Sequence, residues 1–416
     1  MKRVPEQFDL IQKKAEHSPF YEPFLSIPDS LSLQDKKMLK AEGKKVIERE
    51  VLPSLKKLGT FIKNDYMTAT RPHTGAATLP DGKRFYQQCL RFHTSTDMTP
   101  EEIHQLGLQE VKRISKEMDK VIKSLGSNLS RTDFLEQLRN DPQFFFKTQQ
   151  ELLQAYKDTV ENQIEPKIVQ VIKEVPKTKL LIVPFPLSMT ESTAAFYVPS
   201  SPDGSRPGMF FLNTANPKQS PIYKMMSLSL HEGIPGHHLQ SSYMKERTDI
   251  PLFRQLLEYR KYSDVPSHFP IHTAYVEGWG LYSEYLGNEL NLFKDPYFRL
   301  GHLSEEIFRA CRLVVDTGIH AFGWTREKAI NYMLKNSAST KRNVEGEIDR
   351  YITWPGQACA YKIGELKIKE LRKKTEIRLG NNFDIKEFHD VILQSQGPLS
   401  FLEEQVDTFI VKNTRK

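Results

Sequence analysis

Three histidines and a glutamate fall within eight residues, His231, Glu232, His237 and His238, inside MMSLSLHEGIPGHHLQ (225–240). Imidazole nitrogens are zinc ligands, and a glutamate beside them can take a proton from a water that the ion acidifies. In the pattern H-E-x-x-H, two histidines one helical turn apart share the ion from one face. Here the next histidines come six and seven positions on. On an unbroken helix the sixth residue is turned about 240° from the first, and the seventh lies about 10.5 Å further along the axis. Neither would share an ion with His231. Pro235, however, lacks an N–H and clashes with the carbonyl four residues back, and Gly233 and Gly236 flank it. A two-residue bulge at Ile234-Pro235 would bring His237 to the face of His231, with His238 as the rival. The alternative is a helix end that merely happens to carry histidines.

A catalytic zinc keeps three protein ligands and one open position. The segment HTAYVEGWGLYSEYL (272–286) supplies the candidate third ligand, Glu277, set among Tyr275, Val276 and Trp279, where an unpaired acid is costly to bury. Glu284, two turns on, is a candidate partner for a ligating histidine. Zn2+ is therefore the expected cofactor.

Two further groups surround this nucleus. In EEIFRACRLVVDTGIHAF (305–322), Arg312, Asp316 and His320 recur every four residues as one polar stripe. They form either an internal ion pair between helices or a cleft-facing set, with His320 catalytic and Arg312 on the substrate. In RYITWPGQACAYKIG (350–364), Arg350, Tyr351 and Tyr361 flank a Trp-Pro-Gly turn. Tyr361 is the candidate oxyanion donor, against simple core packing. Tyr351 is placed with the substrate, and the planar fork of Arg350 suits a peptide's terminal carboxylate. His73 and Tyr86, around the 71–86 loop, are candidate lid residues.

The elements that must position these residues are helical. TPEEIHQLGLQEVKRISKEMDKVIKSLG (99–126) opens with a Thr-Pro start and early acids and closes at glycine. Helical periodicity also marks 29–60, 142–172, 219–232, 273–290, 303–322, 325–335, 342–352 and 357–374. A loop is expected over 68–82. The β-prone exception is 179–214: KLLIVPFP as a strand, then two runs around a turn as a hairpin, with 208–214 a candidate sheet edge for an extended peptide. The reading is mainly α with a small hairpin or sheet around 179–214. It is taken as one domain over 1–416, in which residues 1–175 form a helical N-terminal region and residues 176–416 the metal-site region.

Composition narrows the classes. Of 416 residues, 38% are hydrophobic and 27% charged, which is globular usage. The net charge of +7 arises from 59 basic and 52 acidic residues interleaved along the chain, so a nucleic-acid partner is not expected. No apolar run is long enough for a membrane span or an export signal. The three cysteines are widely spaced, which suits a reducing compartment, and the cytoplasm is the expected location.

HEGIPGHHLQ, AYVEGWGLYSEYL and RYITWPGQACAYKIG together resemble the family called "domain of unknown function 885", over nearly the whole chain. HEGIPGHH and AYVEGWG are more distantly similar to glutamate-zincin peptidases of the carboxypeptidase Taq and oligopeptidase types. That similarity implies a zincin-like domain in which His231, His237 and Glu277 hold zinc and Glu232 is the base. It also makes Tyr361 similar to the late tyrosine of the oligopeptidase type. Relatives tend to extend further at the N-terminus. The expected function is zinc-dependent hydrolysis of short peptides, carboxypeptidase-like on the evidence of Arg350. The rivals are a hydrolase of a non-peptide amide or ester and a non-catalytic binding protein.

Overall fold

The computed structural model describes residues 8, 14–185, 195–201, 203–255 and 271–414. The chain divides into two compact units, Met1–Pro72 and His73–Lys416. In the first, α1 (Leu33–Val46) starts where Ser32 accepts the Asp35 N–H, and it continues through a π-helical turn into α2 (Leu52–Phe61). Ala15, Tyr21 and Ile47 form its small core with Phe24, Val51 and Leu52.

The second unit carries every candidate site residue. Its helices are α3 (Gly82–Thr94), α4 (Pro100–Ser124), α5 (Arg131–Asn140), α6 (Gln149–Asp158), α7 (Ile222–Glu232), α8 (His237–Glu246), α9 (Thr273–Glu289) and α10 (Pro296–His320). They continue with α11 (Arg326–Asn336), α12 (Lys341–Thr353), α13 (Ala360–Leu379), α14 (Ile385–Gln394) and α15 (Leu399–Thr414). The mainly helical reading holds. Helix α4 begins at the expected Thr99, in a full capping box with Glu102. Helix α10 starts at Pro296, seven residues before the expected 303, because Asp295 accepts the Tyr297 N–H and proline opens the first turn. Helices α3, α5, α8, α14 and α15 were not foreseen.

The small sheet has the order β1-β3-β2, with β1 Leu180–Pro184, β2 Ala195–Val198 and β3 Gly208–Leu212. Strands β2 and β3 form the expected hairpin, and β1 joins β3 in parallel. Strand β3 is therefore central, not the edge expected for 208–214: both of its sides are paired.

Buried residues from before 175 (Leu90, Ile103, Tyr156, Ile164) share one core with later ones (Phe210, Leu230, Trp279, Phe388). The main scaffold is a set of close helix crossings. At Gly107 of α4, a Cβ would lie 2.7 Å from Leu313 of α10, and at Gly278 of α9 it would lie 2.5 Å from the Gly364 backbone of α13. Only glycine allows backbones to approach this closely. Lys362, fully buried on α13, ties three helices together through Glu110 (3.1 Å), Glu306 (2.9 Å) and Glu365 (2.6 Å).

Candidate metal centre

Helix α7 ends at Glu232 and α8 begins at His237, so residues 233–236 interrupt what would otherwise be one helix. The Gly236 N–H reaches back to Leu230 O at 3.0 Å, six residues rather than four, and the His238 N–H reaches Gly233 O. This wide turn is the expected bulge. Glycine is required at 236, where a Cβ would sit 1.9 Å from His231 O. From α9, Trp279 Nε1–H donates to Pro235 O at 2.7 Å and fixes the bulge to the helix that carries Glu277.

The bulge carries His237 to His231, with ring centroids 4.7 Å apart and planes perpendicular. Glu277 Oε2 lies 3.4 Å from His231 Nε2 and 3.3 Å from His237 Nε2. Among the described residues this is the cluster that could hold a metal ion, its ligand atoms all within 4.8 Å of one another. Zinc bonds of about 2.0–2.1 Å arranged tetrahedrally put neighbouring ligand atoms about 3.3 Å apart. Both separations from Glu277 match that edge, so the donor set fits zinc in type and its carboxylate–imidazole spacing fits as well.

His231 Nδ1–H donates to the fully buried Glu284 at 2.8 Å, leaving Nε2 as the free donor atom. Arg309 of α10 lies 3.4 Å from the same Glu284 oxygen. Burial alone would lower the His231 pKa, but Glu277 and Glu284 lift it to about 9. Burial would raise the Glu277 carboxyl, yet His237 and His231 hold it well below the usual carboxylate range. The pocket is built to hold positive charge. Gly280, one turn along α9, leaves room for both imidazoles: a Cβ there would lie 2.8 Å from His231 Cε1 and 3.1 Å from His237 Cε1.

His238 points elsewhere. Its Nε2–H donates to Thr178 O at 3.0 Å and its Nδ1 faces the Tyr197 hydroxyl at 3.2 Å, so both nitrogens are engaged with the sheet side. Burial lowers its pKa to about 4.

The cluster lines a cavity of about 790 Å³. Glu232, Tyr361, Arg312 and Arg350 line it too, as do Phe196 and Tyr197 of β2. Tyr361 stacks on His231 at 6.4 Å and 21°, and the Arg312 guanidinium lies 4.1 Å over the Tyr361 ring. Other expectations need correction. His320 is fully buried, its Nδ1 accepting the Ala76 N–H and its Nε2–H donating to Tyr351 O, both at 3.0 Å. With both nitrogens committed and no place in the cavity lining, it braces the core rather than facing the cavity. Asp316, on the same stripe, accepts from the Tyr86 hydroxyl and the Gly356 N–H. Tyr86 is therefore a buried brace rather than a lid, and the exposed His73 does not line the cavity either. Tyr351 is buried beneath the wall, where its hydroxyl donates to Glu347 and accepts from Arg312 Nε–H, so it supports the arginines without reaching a substrate. Sequence reading missed Lys224, Glu305, Arg309 and Glu347, all cavity-lining. Arg309 lies three residues before Arg312 on the same helix face, a spacing that could have flagged it.

Fold and site together define a mainly helical protein with a small mixed sheet and a two-histidine, one-carboxylate cluster in a large cavity. The chain belongs to the family described as bacterial protein of unknown function (DUF885), which matches residues 1–406. It is similar to the crystal structure of a "putative lipoprotein" from Colwellia psychrerythraea, with 31% identity and a TM-score of 0.89 over 98% of this chain and 69% of that one. A "putative lipoprotein of unknown function" from Shewanella oneidensis shares the fold, with 19% identity and a TM-score of 0.65 over 92% of this chain and 68% of that one. No curated protein matches the sequence.

Proposed function

We propose that this protein is a zinc-dependent hydrolase of peptide bonds in short peptides. The observation that carries the reading is the spacing of Glu277 from His231 and from His237 at the edge length of a zinc tetrahedron, with Glu232 next to His231 on the cavity wall. A zinc ion held there supplies an acidified water and a Lewis acid for a carbonyl. Glu232 accepts the proton of the attacking water at its carboxylate and returns it to the leaving amine. The Tyr361 hydroxyl donates to the carbonyl oxygen as negative charge grows on it. Glu284 orients His231 through Nδ1. Phe196 and Tyr197 of β2 form an apolar wall for an extended peptide, a role moved from β3 to β2. A cavity of this volume admits short chains and excludes folded proteins.

Two observations bear on compartment. The three buried thiols, Cys89, Cys311 and Cys359, support the cytoplasm, and the name of the solved relative from Colwellia psychrerythraea supports a lipid-anchored location. Cell fractionation with an antibody to the protein decides between them.

The mechanism is tested with Glu232→Gln, which keeps size and polarity but accepts no proton near neutral pH. It is expected to retain zinc by elemental analysis and to lose about 10²–10⁴ in turnover on a peptide library. Cleavage at the wild-type rate would refute the assignment. A zinc-loaded wild-type protein that cleaves no peptide but hydrolyses simple esters would move the reading to a non-peptide hydrolase.

A further inference from the structure

Charge is not balanced along the cavity wall beside Tyr361. Lys224 and Arg309 are matched by two carboxylates: Glu305 pairs with both, and Arg309 also faces Glu284. Arg312 and Arg350, by contrast, share the single carboxylate of Glu347, at 2.8 and 3.0 Å. That carboxylate also accepts the Tyr351 hydroxyl at 2.8 Å. Arg350 completes its fork on the neutral Gln357 at 2.7 Å. Arg312 is 6% exposed, and its Nη1 is buried with no hydrogen-bond partner. A guanidinium cannot shed its charge, so one buried positive charge here lacks a counter-ion. An arrangement of this kind is stable only when water or an anion completes it.

Position identifies the anion. The ring contacts run from His237 to His231 to Tyr361 and then to the Arg312 guanidinium, so the excess charge lies one aromatic ring beyond the metal cluster. An extended peptide advances about 3.4 Å per residue. A substrate with its scissile carbonyl at the cluster therefore reaches the arginines within one to three residues. Resting on the hydrolase reading above, we propose that Arg312 and Arg350 form the subsite for the free C-terminal carboxylate of a peptide. The enzyme then releases short C-terminal fragments. Arg350, the more exposed of the two, makes the first contact, and Arg312 is held behind it by Glu347 and Tyr361. One further cation lines the cavity, Lys245, which has no carboxylate partner among the described residues and donates to Ser200 O near β2.

The test uses three peptides: a free acid, the C-terminal amide of the same sequence, and that amide with glutamate in the last position. Each is measured with wild-type, Arg350→Gln, Arg350→Lys and Lys245→Gln proteins, all checked for zinc content and far-UV circular dichroism. Hydrolysis gives kcat/KM, and calorimetric titration into the Glu232→Gln protein gives Kd without turnover. The expected result is a preference of at least about 10-fold for the free acid in both readouts, the scale of a charge-assisted pair. Arg350→Gln should collapse that ratio towards one, and Arg350→Lys should leave an intermediate ratio, because the charge remains and the fork does not. Equal affinity for acid and amide overturns the inference even where peptides are cleaved. A preference for the glutamate amide equal to that for the free acid overturns the C-terminal assignment in favour of an acidic side chain. Loss of preference in Lys245→Gln but not in Arg350→Gln relocates the anion to Lys245 and also overturns it. Failure of the hydrolase reading looks different: no peptide turnover, with the binding preference intact.

Discussion

Replacing Gly280 by alanine separates the metal site from the fold that holds it. The added Cβ would lie 2.8 Å from His231 Cε1, 2.9 Å from His231 Nε2 and 3.1 Å from His237 Cε1. Ordinary contact begins near 3.4 Å, so the His231 ring must recede by about half an ångström. It has little freedom to do so, because Glu284 holds Nδ1 and Tyr361 stacks against the ring. Helix α9 cannot retreat either, since Gly278 meets the Gly364 backbone on its other side. Ligand positions tolerate errors of only about 0.2 Å, so both imidazoles leave the productive geometry together. Disturbing support for a ligand costs about 10–100-fold in metal affinity. Moving two ligands directly should cost at least the upper value, about 2.7 kcal/mol. Alanine in a helix interior is meanwhile about 0.8–1.0 kcal/mol better than glycine. The Gly280→Ala apoprotein should therefore unfold at a denaturant midpoint no more than slightly below wild type, while its zinc affinity by chelator competition falls at least 100-fold. Gly278→Ala should do the reverse and lose fold stability first, because its Cβ strikes backbone. Wild-type zinc affinity in Gly280→Ala would refute the proposed ligand geometry.

Further outcomes follow from the same contacts. His237→Ala should abolish zinc binding by elemental analysis, whereas His238→Ala should retain stoichiometric zinc, since His238 bonds Thr178 O and faces Tyr197; metal loss in His238→Ala alone would move the ligand. Tyr361→Phe should keep zinc and fold but lower kcat about 10²-fold or more with little change in KM, the scale of one oxyanion donor; an unchanged kcat would return Tyr361 to packing. Lys362→Met leaves Glu110, Glu306 and Glu365 without the ammonium they share and should destabilise the protein by about 3–5 kcal/mol in denaturant titration; a loss under about 1 kcal/mol would show that Arg113, which pairs with Glu110 and Glu306, and Lys369, which pairs with Glu306 and Glu365, carry the network instead.

What the sequence made legible follows from how local each signal is. The bulge was readable because a proline four residues after His231 is incompatible with an unbroken helix, whatever the tertiary structure. The helix start at Thr99-Pro100 is equally local, as is the turn between β2 and β3. Choosing His237 over His238 was not a local matter. It depends on Thr178 and Tyr197, some 40 to 60 residues upstream, which claim one ring of an adjacent pair. The Arg312, Asp316 and His320 stripe is plain in its spacing, but spacing alone leaves its destination open. Helix α10 is buried along almost its whole length, so its polar residues face different neighbours. Arg312 meets the cavity, while Asp316 and His320 meet α3 and the segments at Ala76 and Gly356. Some misses were avoidable: Ser130 accepting the Asp133 N–H and Asp384 accepting the Lys386 N–H are readable starts for α5 and α14. Helix α3 gave less warning, since it opens from Asp81 at positive φ without a side-chain cap.

The four residues Glu277-Gly278-Trp279-Gly280 show where a search for chemistry stops short. Of the four, only Glu277 has a side chain that could bind an ion. Gly278 sets the distance between α9 and α13, and therefore between Glu277 and Tyr361, because its Cα meets the Gly364 backbone with no side chain between them. Trp279 fastens the bulge that turns His237 inward, and Gly280 clears the volume that both imidazoles occupy. Each of the three acts through space or through a single backbone hydrogen bond, so none is recognisable by residue type. On one turn of α9, successive side chains point about 100° apart. Four neighbours can therefore address the cluster, the α13 crossing and the bulge at once. The precision of the site is a property of that turn as much as of the three ligands.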